Sequence, residues 1–381
     1  MDVRQNVHLA HFQLRNVLAS TARNKSYYPG RDAVMRINPI SGRTEKVMDT
    51  SILSGGPIIS TLAASHGLLV AGSFHGEYCI RNLDSESGEQ YDGPLSERGS
   101  ITTHVQVNLG RTSSLPIAAF ACNDSQFRLM DIATQKFVLE KTYDDPINCA
   151  VLSPDRRLRV MVGDNTKVLI THADTGKVLH VLEGHRDFGF ACDWADDGYT
   201  VATGCQDMSI KIWDARRWKN SNGDSAPVCT LRTEMSGIRS MRFSPAGSGR
   251  KVLVAAEESD IVNIIDARDF SRKQTFDVFG EIGGVAFANE GQHLQVLCCD
   301  RDRGGLIQLE RWDLAPQPHE LAGETTLANS PGRRTRGLRN AEIQLPSRLG
   351  IDWQEAADDD EFLRKPTVRY GSSLWDTMAP F

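Results

Sequence analysis

The sequence predicts an all-β fold assembled from repeated four-stranded units, and three observations predict it. Apolar runs recur in one phase along most of the chain, each is followed by further alternating runs, and the residues between runs are those of tight turns. Marking the first apolar run of each unit gives Phe12, Ile58, Ile101, Ile147, Phe188, Ile238 and Ile282. The gaps are 46, 43, 46, 41, 50 and 44 residues, a spacing that one four-stranded unit fills. The long gap has a visible cause: Lys219 to Ala226 form a polar insertion between the third and fourth strands of their unit.

Taken in order, the units repeat one set of signals. The first reads VLASTARNKSYYPG and then AVMRINP, and is the most degenerate. The second pairs LLVAGSFHG with EYCIRNLD, the third PIAAFACNDS with QFRLMDI, and the fourth LRVMVGDN with KVLITHAD. The sixth pairs VLVAAEESD with IVNIIDAR, and the seventh LQVLCCDRD with LIQLERWD. Each pair is a β-hairpin with polar residues at its turn. Ser153-Pro154-Asp155 and Ser244-Pro245 follow the innermost strands CAVL and SMRF at the same phase. They read as turns, because proline pre-sets the φ that such a turn requires.

The fifth unit is written most fully. From Gly184 to Asp214 it opens with a Gly-His pair, closes with a Trp-Asp pair, and holds FACDW, YTVAT and SIKIW between them. Ala195 to Gly198 and Cys205 to Met208 supply the turns. These residues resemble the WD-repeat (WD40) family of β-propellers, whose blades run from a GH to a WD dipeptide. The resemblance implies a seven-bladed WD40 β-propeller over residues 8–321, with blades starting near 12, 58, 101, 147, 188, 238 and 282. It also implies a structural relay through His185, Thr203, Asp207 and Trp213, in which a turn carboxylate holds an imidazole and a hydroxyl passes the bond to a buried indole N–H. A threonine, a histidine and an aspartate together also invite a catalytic reading; the relay accounts for all three without one.

Bulk properties narrow the classes. With 40% hydrophobic and 24% charged residues and a net charge of −6, the composition is globular and gives no footprint for nucleic acid. No run reaches the length of a bilayer span and the amino terminus lacks a signal-peptide core, so a cytoplasmic or nuclear location is expected. The eight cysteines contain no CxxC and no histidine at zinc-ligand spacing, which predicts buried free thiols and no metal. After Glu320 the repeat stops. Residues 322–381 mix a basic cluster (Arg333, Arg334, Arg336, Arg339) with an acidic one (Asp358, Asp359, Asp360, Glu361) and isolated aromatics, the composition of a largely disordered tail.

For function, the innermost strands FACDW, SMRFS and GVAFA offer no repeated His, Asp or Glu set, so neither catalytic nor cofactor-binding residues are assigned and no small-molecule substrate is expected. The informative feature lies past two neighbouring third strands: Trp213-Asp214-Ala215-Arg216 and Ile265-Asp266-Ala267-Arg268. Such boxes resemble those of WD-repeat substrate receptors for cullin–RING ubiquitin ligases. That resemblance implies a non-enzymatic interaction scaffold that meets a ligase adaptor and its substrates through Asp214, Arg216, Asp266 and Arg268. It requires both arginines to be exposed on one face and not neutralised by a carboxylate of the same chain. A structural subunit of a chromatin or RNA-processing complex is the alternative class, and a propeller enzyme a third. The divergent first unit and the tail are also similar to uncharacterised WD-repeat proteins of fungi.

Overall fold

The computed structural model describes residues 2–4, 7–9, 11, 13–85, 88–96, 99–111, 114–300 and 304–311. Its 27 elements are all strands, and hydrogen bonding joins them into five four-stranded sheets and one seven-stranded sheet. The architecture is an all-β propeller. Each four-stranded sheet is a meander of consecutive antiparallel strands: 19–49, 59–94, 102–142, 147–182 and 189–232. The expected tail, 322–381, lies outside the described residues.

From the second sheet to the fifth, the fourth strand is the least buried. In the fifth sheet, Gly189–Trp194 is buried at every position and Thr200–Cys205 at all but one. Ser209–Asp214 is interrupted, and Cys229–Arg232 alternates between half-buried and exposed. This gradient is why the inner strands read as unbroken apolar runs and the outer ones as polar alternation. One irregularity recurs at a fixed place. Register shifts fall at Ile59/Thr61, Thr102/His104, Ile147/Cys149, Gly189/Ala191, Ile238/Ser240 and Ile282/Gly284. A bulge just inside each innermost strand sharpens its twist where the sheets converge.

The core lies between sheets as well as within them. Val151, Val160 and Val162 of the fourth sheet pack with Trp194, Val201 and Trp213 of the fifth. Ala191, Ala202 and Ile212 of the fifth pack with Met241, Leu253 and Ile265 of the next. Trp213 is 1% exposed; burying a side chain of this size removes enough apolar surface to stabilise the joint by about 2–3 kcal/mol.

Two expectations are corrected. A seven-bladed propeller was expected, and the described residues form six sheets. Lys273–Ala288 is a single 16-residue strand whose first part pairs with Ser259–Asp266 and whose second part pairs with His293–Cys298. The last two units therefore fuse, because their junction, DVFGEIGG, bends at Gly280 (φ 144°) without a loop that would break the ladder. The innermost strand expected from Phe12 is also displaced: Phe12 is outside the described residues, and the strand is Ala19–Ala22. Ahead of it, Asn16 bridges Thr61 and the Val17 N–H donates to the Gly283 carbonyl, so this stretch crosses between sheets. The seven-stranded sheet also takes in Asp2–Arg4, paired with Gly305–Ile307, which lie ahead of residue 8.

Candidate functional site

The relay residues form one hydrogen-bonded chain in the fifth sheet. Trp213 Nε1 donates to Thr203 Oγ1 at 2.9 Å, Thr203 Oγ1 meets His185 Nε2 at 2.8 Å, and His185 Nδ1 meets Asp207 Oδ2 at 3.2 Å. An imidazole protonated on Nδ1 satisfies every link: the indole gives to the hydroxyl, the hydroxyl to Nε2, and Nδ1–H to the carboxylate. Burial pushes the Asp207 carboxyl up, but bonds from His185, Ser209 and the Arg186 N–H outweigh it and hold the group well below the ordinary carboxylate range. Cys205 Sγ stands with His185 and Asp207 inside a 4.8 Å cluster, where it donates to the Asp187 carbonyl at 3.0 Å. Every member of this cluster is engaged in tying a loop to a turn.

Asp214 and Asp266 end their third strands in the same register, opposite Thr200 and Val252 at the starts of the second strands. Sheet geometry therefore brings Arg216 and Arg268 to one end of neighbouring units, and both line one groove of about 810 Å³. Asp197, Tyr199, Val228, Arg250, Lys251 and Phe270 complete much of its wall. Both arginines reach solvent, with side chains 66% and 60% exposed.

The requirement that they be unneutralised is not met. Arg216 Nε donates to Asp214 Oδ1 at 2.9 Å and Nη2 to Oδ2 at 2.7 Å, and its guanidinium lies 3.9 Å over the Tyr199 ring. Arg268 Nε and Nη2 donate to the two oxygens of Asp266 at 3.2 and 3.1 Å, and Arg250 Nη2 adds a third bond at 2.6 Å. The cause is the spacing itself. In each Asp-x-Arg turn the aspartate first accepts the arginine backbone N–H, which folds the side chain back onto the same carboxylate. Hydrogen bonds from Arg216 lower the Asp214 pKa. Burial works to raise Asp266, yet Arg268 and Arg250 hold it at about 2. What remains is a planar, pre-set cation whose Nη1 edge has no partner among the described residues.

Residues 176–214 match the WD domain, G-beta repeat family. The chain is a β-propeller that carries a WD repeat. Residues 237–276 of this WD-repeat protein, which include Arg268, match an uncharacterised domain family, DUF2415. An uncharacterised protein of Schizosaccharomyces pombe is 24% identical over 315 residues, 75% of this chain and 84% of that protein. The zebrafish activating molecule in BECN1-regulated autophagy protein 1A is 30% identical over 215 residues, 52% of this chain but only 15% of that protein. Among solved structures, a chain in the crystal structure of the mitotic checkpoint complex matches with a TM-score of 0.67 at 16% identity, covering 82% of this chain and 91% of that chain; this likeness shows the fold alone.

Two buried carboxylates in the WD-repeat propeller were missed by the sequence. Asp193, in FACDW, lines a central cavity of about 400 Å³ together with His104, Gln106 and Arg242. It accepts the Phe243 N–H at 2.6 Å, and burial pushes its pKa up to about 6. Glu257, fully buried in VLVAAEESD, accepts the N–H groups of Glu234, Met235 and Ser236, each at 2.8 Å. Register places it there: Glu257 pairs with Ile238 as Cys205 pairs with Gly189, the position that ends a buried run. The eight cysteines are free thiols, six of them buried.

Proposed function

We propose that this chain is a non-enzymatic protein-interaction scaffold, and that the groove between its Asp-x-Arg turns is a docking surface. One observation carries the reading: two identically built, solvent-facing guanidiniums, one unit apart, line a single groove. Because each guanidinium is already fixed by its own aspartate, a partner carbonyl or carboxylate meets an ordered donor and the side-chain entropy lost on binding is small. Pairing also lowers the electrostatic gain, so geometry rather than net charge would set specificity.

The sharper version, a substrate receptor of a cullin–RING ubiquitin ligase in the cytoplasm or the nucleus, docked on its adaptor through Arg216 and Arg268, would have to use guanidiniums that Asp214 and Asp266 already hold, which counts against it. The resemblance of the two boxes supports it, and the zebrafish relative, named as an activating molecule in regulated autophagy, supports a regulatory module more broadly. The test is co-purification with the double variant Arg216→Ala, Arg268→Ala. Loss of a ligase adaptor that the wild type recovers supports the receptor reading. Equal recovery, or an adaptor absent from the wild type, rejects it and leaves the scaffold reading to stand on other partners.

A further inference from the structure

The opposite end of the same sheets carries a second feature. Phe188, Met208, Met235 and Phe279 are exposed at 43, 40, 61 and 63%; it is their gathering at one end, not the exposure of single apolar side chains, that points to a docking surface. Their positions share one geometry. Phe188 immediately precedes an innermost strand, Met235 lies three residues ahead of the next, Phe279 precedes the inner part of the shared strand, and Met208 sits in the turn between the second and third strands of the fifth sheet. Antiparallel pairing brings all four to the end where innermost strands begin; Arg216 and Arg268 are at the other end.

Hydrogen bonds link the four into one continuous rim. The Gln206 N–H donates to the Phe188 carbonyl at 2.9 Å, and the Met208 carbonyl accepts from Thr233 at 3.1 Å. The Met235 N–H is held by Glu257 at 2.8 Å. The Glu258 N–H donates to Ser236 Oγ at 3.1 Å, and the Gly280 N–H to Asp260 Oδ1 at 2.6 Å. Met208 and Phe279 have φ of 62° and 52°, a left-handed backbone that bulky residues adopt only where the surroundings impose it. The fold thus holds these side chains outward on fixed backbone.

The charge around them selects the occupant. Asp187, Glu234, Glu258, Asp260 and Glu281 all reach solvent at this end, against Arg186, Arg232 and Lys273, the last paired with Glu234. The two further arginines here point inward: Arg239 pairs with Glu258 at 2.7 Å and Arg15 with Glu281 at 3.5 Å, with the arginine side chains 2% and 0% exposed and the glutamates 34% and 55%. Each pair therefore turns its negative end to solvent. An apolar rim set among outward carboxylates repels nucleic acid and anionic lipid and attracts a polypeptide that combines apolar anchors with lysine or arginine.

We propose that the rim formed by Phe188, Met208, Met235 and Phe279 is a second docking surface, for a basic, apolar-anchored segment of a partner protein. It is independent of the Arg216–Arg268 groove. The test selects displayed random 12-residue peptides on the full chain and measures the most enriched one, made synthetically, by fluorescence anisotropy. Enriched peptides should pair Lys or Arg with Leu, Met or Phe, and their affinity should fall with salt. Met235→Glu with Phe279→Asp should weaken binding by about tenfold or more with an unchanged melting temperature, while Arg216→Ala with Arg268→Ala should leave it unaltered. No enrichment, acidic or uncharged consensus peptides, indifference to the rim variant, or preferential binding to phosphatidylserine vesicles would overturn the proposal. If the rim variant melts early, Met235→Ser with Phe279→Ser gives the same reading with a milder change.

Discussion

The fifth and sixth units hold their inter-sheet loops in place by different chemistry. In the fifth, Asp207 accepts the Arg186 N–H at 2.8 Å and fixes His185, which continues through Thr203 to Trp213. In the sixth no such relay exists: Glu257 alone takes three backbone N–H groups and the Asn263 side-chain amide at 3.0 Å. The second unit uses a more exposed version, Glu77 accepting from Ser54 and Gly55 at 2.9 and 3.0 Å. The common requirement is an acceptor at the turn end for the donors of the incoming loop, whose burial without partners would be costly. The Gly-His to Trp-Asp signature is one way to supply it.

Removing the carboxylate of the sixth unit should be the more damaging change. Glu257→Ala strips four donors of their acceptor inside a dry site and should cost about 3–5 kcal/mol in urea unfolding, with Glu257→Gln losing less. A Glu257→Ala protein within about 0.5 kcal/mol of wild type would break the equivalence drawn between the two units.

Asp193 sharpens the comparison from inside the fifth unit, where two aspartates are driven in opposite directions. Asp207 is held down by its bonds, whereas Asp193 is raised to about 6 by burial. A carboxyl whose folded pKa exceeds its unfolded value of 3.8 favours the protonated folded state. Its contribution is therefore fully present below about pH 4 and lost as pH rises through 6, an effect of about 3 kcal/mol. Asp193→Asn should flatten stability between pH 4 and 6 and equal or exceed wild-type stability at pH 8. An unchanged slope in that window would show that Asp193 is not desolvated as described.

Thr203→Val is the smaller test of the relay, since it leaves the Trp213 indole N–H and His185 Nε2 without their shared partner but preserves shape; about 1–3 kcal/mol is expected. Combined with Glu257→Ala, the two losses should add to within about 0.5 kcal/mol, because the sites share no hydrogen-bond partner. Strong coupling by double-mutant cycle would mean that the two devices are one network.

How much of this was legible follows from the same physics. The marker positions from Ile58 onward coincide with or lie next to the innermost strands that form, from Ile59–Ser65 to Ile238–Phe243, because each of these buried strands starts at or beside an apolar residue that follows a polar turn. The first strand was misplaced because ASTA is four short residues with no apolar run to mark it. The fused sheet was missed because two units are joined without a turn, and sheet count depends on backbone continuity that composition does not report. His185 and Trp213 could be read because their motif is spelled out. Glu257 could not, since a glutamate beside Glu258 and Asp260 looks like a solvated turn until register places it inside. The box arginines were legible as neighbours on one rim; their capture by Asp214 and Asp266 is a local ring closure that spacing permits but does not announce.

The smallest stability effect belongs to the groove. Arg216→Ala with Arg268→Ala should change unfolding free energy by no more than about 0.5 kcal/mol, since both side chains are largely exposed and Asp266 keeps Arg250. The measurement that bears most directly on a scaffold with two docking surfaces is quantitative affinity purification with mass spectrometry from the cells that make the protein. It compares wild type, the Arg216→Ala/Arg268→Ala variant and the Met235→Glu/Phe279→Asp variant at matched abundance and equal melting temperature. Each variant should lose its own set of partners and keep the other's. A wild type without reproducible protein partners, or variants whose partner sets are the same as the wild type's, would contradict the account.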